Sequence, residues 1–86
     1  MTMTPDQARS LVSKQIRFIV PDADLDGLPS GADLRRALEL DSLDFLEFVE
    51  RLSKDAGVRI DEDDYSSLAT MESCQAFLVA RAAATG

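Results

Sequence analysis

Histidine and tryptophan are absent from this chain, and cysteine occurs once, at Cys74. Without histidine, Ser-His-Asp and Cys-His nucleophilic catalysis is excluded, and so are zinc sites assembled from His and Cys. A lone cysteine cannot close an internal disulfide, so nothing in the sequence calls for an oxidising compartment. Positive charge is scarce as well: 9 basic residues against 16 acidic ones leave a net charge of −7. That deficit argues against direct binding to nucleic acid or to an anionic membrane, and favours partners with basic surfaces. No apolar run approaches the roughly 20 residues of a membrane span, and "MTMTPDQARS" lacks the charged and then apolar pattern of a signal peptide. The expectation is a soluble, cytoplasmic monomer. Its 86 residues fit a single domain, 1–86, with a small core.

Helical patterning is what the chain does have. Thr4 can cap a helix, Pro5 suits its first position and Gln7 sits where a capping box needs it. Ala8, Leu11, Val12, Ile16 and Ile19 then recur at helical spacing until Pro21 forbids continuation, which predicts a helix over about residues 5 to 20. Residues 21–33, "PDADLDGLPSGAD", are dense in turn formers and read as a long loop. "LRRALEL" suggests a short helical turn with Leu34 and Leu38 inward.

A second main helix is predicted from Ser42 to Ala56, ended by Gly57. Its apolar face, Leu43, Phe45, Leu46, Phe48, Val49 and Leu52, is broader than one packing partner covers, while Glu47 with Arg51 and Glu50 with Lys54 are spaced for ion pairs. Val58 and Ile60 point inward, and a brief helical segment follows near residues 62–67. Thr70 can cap a last helix with Met71, Cys74, Phe77 and Leu78 on one face, and "ARAAATG" is expected to fray. The fold class is all-α: a small bundle of three main helices plus one short helix, with a long loop between helices one and two.

Four segments could carry chemistry. "DADLDGLPSGAD" has the spacing of a calcium loop at Asp22, Asp24, Asp26, Gly27 and Asp33. Asp33 is shorter than the glutamate such loops use, Pro29 removes a backbone donor, and no second loop accompanies it, so a connecting loop is the preferred reading. The acids at 61–64, "DEDD", suit the first turn of a helix and need no ligand. Cys74 lies on an apolar stripe with no activating base and reads as a buried structural thiol. In "LDSLDFLEF" either Asp41 or Ser42 can cap the second helix and Asp44 adds favourable charge to its first turn. If Asp41 is the cap, the Ser42 hydroxyl is free and the apolar Leu43 stands beside it at a loop and helix junction.

Taken with their neighbours, these residues resemble the acyl carrier protein family. "DLRRALELDSLDFLEFVERL", "VRIDEDDYSSLATMES" and the flanking helices follow the family's order across nearly the whole chain. The resemblance implies that Ser42 is the attachment serine for a 4′-phosphopantetheine arm drawn from coenzyme A, with activation supplied by a separate phosphopantetheinyl transferase. It further implies that Asp41, Leu43, Asp44 and Glu47 recognise partners: acyl-activating, synthase or transferase enzymes with basic docking surfaces, in fatty acid, polyketide or related biosynthesis. The chain would be a carrier of acyl thioesters and not an enzyme, with no metal of its own. Aminoacyl or peptidyl cargo is the nearest alternative, followed by a calcium-binding helical module using loop 22–33 and by a purely structural bundle. The sequence departs from the family at Glu39, where glycine is common, and in the positive charges Arg35, Arg36, Arg51 and Lys54 around the serine and along its helix.

Overall fold

The first helix begins on a reciprocal pair of hydrogen bonds: the Gln7 N–H donates to Thr4 Oγ1 at 3.1 Å and the Thr4 N–H donates to Gln7 Oε1 at 2.9 Å. In a computed structural model, which describes residues 2–85, this box opens α1, Pro5–Ile19. It is followed by α2, Leu34–Ala37, α3, Ser42–Ala56, a 3₁₀ segment, Glu62–Leu68, and α4, Met71–Thr85. The described residues are helical or loop, with no strand among them. Three 15-residue helices thus form the bundle. α1 packs against both α3 and α4, and the 3₁₀ segment rests on α4.

The apolar stripes meet as their spacing dictates. Val12 and Ile16 of α1, Phe48 and Leu52 of α3, Leu68 of the 3₁₀ segment, and Cys74 and Leu78 of α4 are all essentially inaccessible. Burial pushes the Cys74 thiol up to about 12, so it remains protonated at neutral pH and serves as a small apolar side chain. The long loop is pinned at several points rather than draped over the surface. Leu25 is buried in the core, the Leu34 N–H donates to the Ala69 carbonyl at 2.7 Å, and the Glu72 N–H donates to that of Ser30 at 3.1 Å.

Two features differ from their sequence reading. α4 runs to Thr85 where "ARAAATG" was expected to fray, because Ala82 is buried and Arg81 is tied down on three sides. Its guanidinium donates to the Arg59 carbonyl and to Asp64 Oδ1, both at 2.9 Å, and lies 4.7 Å above the Phe77 ring. The Glu50 and Lys54 side chains form no ion pair among the described residues, whereas Arg51 and Glu47 do at 2.9 Å. The formed pair has an aromatic ring to rest on, described below; for two fully solvated chains the entropy of alignment cancels the gain.

Asp64 bolts the 3₁₀ segment to α4. The Asp61 N–H, at 2.9 Å, and then the Arg81 guanidinium hold its carboxyl below the usual carboxylate range. Since the unfolded chain protonates first as pH falls, this contribution is complete above about pH 4 and is lost below it. Thermal melts between pH 6 and 2 are expected to show stability falling below about pH 4, less steeply in Asp64→Asn. Equal slopes for the two proteins would contradict that assignment.

Candidate functional site

Ser42 lies at the end of a tight connection between α2 and α3. Asp33 starts α2 by accepting the Arg36 N–H at 3.0 Å, and the helix ends after one turn in a left-handed residue, Glu39, with φ of 54°. The Leu40 N–H donates to the Arg35 carbonyl at 2.9 Å and the Glu39 N–H to that of Arg36 at 3.4 Å. This is the paired closure of a Schellman motif, and Leu40 buries its side chain just beyond it. The motif usually places glycine where Glu39 stands, which gives a backbone reason for the family preference noted from the sequence. A glutamate there carries steric strain of roughly 1–2 kcal/mol. Glu39→Gly is therefore expected to raise stability by about 0.5–1 kcal/mol, after subtracting the entropy glycine regains when unfolded. The measure is a higher urea midpoint at an unchanged slope.

One residue past Leu40, Asp41 caps α3. Its Oδ1 accepts the Asp44 N–H at 2.8 Å, and Asp44 Oδ2 accepts the Asp41 N–H at 3.4 Å. The capping question is thus settled in favour of Asp41. Ser42 occupies the first helical position, exposed, and its hydroxyl has no hydrogen-bond partner among the described residues. The cap consumes one of the orphan donors at the helix start, and the Phe45 N–H is taken by the Asp41 carbonyl at 3.0 Å. The N–H groups of Ser42 and Leu43 lie ahead of the first intrahelical bond and face solvent, where the helix dipole is positive.

A shallow groove of about 370 Å³ opens beside the hydroxyl, lined by Arg35, Ser42, Phe45, Leu46, Tyr65 and Ser66. Its floor is aromatic: Phe45 meets Tyr65 edge-on at 5.6 Å and Phe48 at 6.1 Å. Leu43 is 76% exposed and Leu46 is 40% exposed, so the α3 tip presents two uncovered apolar side chains around the serine.

Of the four residues expected to recognise partners, the structure leaves Leu43 alone uncommitted. Asp41 and Asp44 are engaged in the cap. Glu47 accepts from Arg51, whose guanidinium lies 3.3 Å from the centroid of the exposed Phe18 ring. The sequence reading anticipated the Glu47–Arg51 pair but missed its stacking on Phe18, because that contact joins two helices. It also missed Tyr65 and Ser66 in the groove, since a short 3₁₀ segment shows no usable periodicity.

The other candidates are placed elsewhere. Asp24 Oδ1 accepts the Gly27 N–H at 3.1 Å, and Asp33 is the α2 cap, so two of the calcium-loop acids have local backbone roles. Among the described residues no group of three or more His, Cys, Asp or Glu side chains is arranged to hold a metal ion. Among them, too, no helix is long and apolar enough to cross a membrane.

Beside the two carboxylates of the cap, the Ser42 and Leu43 N–H groups are the donors this helix start offers to an anionic group on the hydroxyl. A family model described as a phosphopantetheine attachment site matches residues 9–74, which takes in α2, Ser42, all of α3 and the 3₁₀ segment. Comparisons with curated proteins and with solved structures found no match.

Proposed function

Given that the chain belongs to the phosphopantetheine attachment family, the site of a covalent 4′-phosphopantetheine, we propose that it is an acyl carrier protein with Ser42 as the attachment residue. The observation that carries this reading is the exposed, unpartnered hydroxyl of Ser42 at the first position of α3, ahead of a helix already capped by Asp41. The residues fit the group: free backbone donors and the positive helix end favour a phosphodiester, and open surface surrounds the oxygen.

In the attachment step Ser42 Oγ forms a bond to phosphorus, the diphosphate P–O bond of coenzyme A breaks, and adenosine bisphosphate leaves. No histidine exists in the chain and, among the described residues, no base pairs with Ser42, so the hydroxyl proton goes to a base on the transferase, where magnesium also acts. Once attached, the arm's terminal thiol holds cargo as a thioester. The chain's own task is presentation: tethering raises the effective concentration of cargo at each partner and prevents its release between steps.

Phe45, Leu46 and Tyr65 give the groove beside the serine an apolar side, which favours acyl cargo over polar aminoacyl cargo. The net charge of −7 favours partners with basic docking surfaces. Leu43 supplies an apolar contact at the centre of the docking face, next to the attachment oxygen. Incubation with coenzyme A, magnesium and a broad-specificity phosphopantetheinyl transferase tests the proposal by intact mass. One phosphopantetheine should be gained; no gain with several such enzymes would sink it.

A further inference from the structure

The tip of α3 has an electrostatic problem. Asp41 and Asp44 both place carboxylates in its first turn, on a chain of net charge −7. A phosphodiester on Ser42 adds a third negative group beside them, and two backbone N–H donors offset only part of that repulsion.

Arg35 is the cationic side chain that lines the Ser42 groove. Its guanidinium lies 5.1 Å above the Phe45 ring, and among the described residues it has no hydrogen bond or ion pair. Phe45 is three positions after Ser42 on α3, so the two share a helix face and stand about 5–6 Å apart at Cβ. Stacking on a ring occupies the guanidinium's flat face and leaves its in-plane N–H donors available for an anion. The position is also fixed from below: the Arg35 carbonyl closes the Schellman turn through the Leu40 N–H, two residues before Ser42. The adjacent Arg36 does not line this groove.

From this juxtaposition we infer that Arg35 is a positioning residue for the arm: its guanidinium, held on Phe45, binds the phosphodiester at Ser42 and sets the arm's first bonds along the groove towards Tyr65. The inference rests on Ser42 as the attachment residue. It makes the phosphate a bridge between α2 and α3, so that the orientation of the arm depends on a residue outside the serine's own helix. The departure from an acidic approach to the serine then has a specific use.

The test is phosphorus NMR on the loaded protein, which reads the phosphodiester directly. In the loaded wild type its signal is expected to be displaced from the position seen in the urea-unfolded chain. Arg35→Gln should return it at least halfway to the unfolded position, Arg35→Lys should shift it in the same direction by less, and Arg36→Gln should leave it in place. Circular dichroism checks folding, and if the glutamine variant does not fold, the lysine variant decides alone. An unchanged signal in these Arg35 variants, or an equal shift in Arg36→Gln, overturns the inference while leaving the attachment reading intact. Failure of the wild type to gain the arm overturns both.

Discussion

Ser42→Ala is expected to gain no phosphopantetheine and to unfold within about 0.5 kcal/mol of the wild type, while Asp41→Ala loses about 1 kcal/mol and still takes the arm. The two outcomes separate because capping and, as proposed, arm attachment fall to adjacent residues. Asp41 accepts the Asp44 N–H, so removing its carboxylate orphans a helix donor. Ser42 has already entered the helix, with its hydroxyl unpartnered among the described residues, and alanine is the best helix former for that position. A bundle in which Ser42 merely caps α3 requires the opposite result, a destabilised Ser42→Ala. Intact mass and urea denaturation on the same two variants therefore distinguish a modification site from a cap. Loading of Asp41→Ala should be slower than that of the wild type, since the variant also removes an acid from the proposed docking face.

Caps were legible in the sequence because their chemistry is local. Thr4 with Gln7, Asp41 as one of two candidates, and Thr70 were readable as caps, and each accepts a backbone N–H three residues on in the structure. Core faces were legible for a similar reason: the helical period alone groups Ala8, Val12 and Ile16, all buried. What escaped notice depends on elements far apart in the chain. Gln15 looks like a surface residue in α1, yet it is buried and donates to Asp55 Oδ2 at 2.7 Å across 40 residues. Leu25 and Leu40 sit in connecting segments with no periodic neighbours to announce them, and both are buried. Glu39 conceals a left-handed backbone that only the Schellman closure reveals.

At the site itself, the helix-start position of Ser42, Asp41 as one of two cap candidates and the Glu47–Arg51 spacing could be read from the sequence, but the ring on which Arg51 rests could not. Glu47 was expected both to pair with Arg51 and to face partners; in the structure the pair forms, and Arg51 stacks on a ring from another helix. The sequence shows that these charges are present, and only packing shows which of them are already matched. The tip of α3 consequently presents apolar Leu43 and Leu46 among acids that also hold the helix together.

The same helix provides the largest stability effect expected in the molecule. Phe48→Ala should cost about 3–5 kcal/mol, set against a total that for a chain of 86 residues is of the order of 4–13 kcal/mol. Phe48 is 1% exposed, so truncation leaves a cavity where α3 faces the core, and it removes the ring that supports Phe45 from 6.1 Å. Phe45 in turn braces Tyr65 and carries Arg35, so loss of Phe48 loosens the groove floor beside Ser42 as well as the core. Leu43→Ala is the control on the same helix. With three-quarters of its surface already in water, it should change stability by less than about 0.5 kcal/mol and act on partner binding instead. Urea midpoints for the two variants give the comparison. Similar losses in both would mean that α3 is not seated through Phe48, and that the groove beside Ser42 is held open by something other than this aromatic stack.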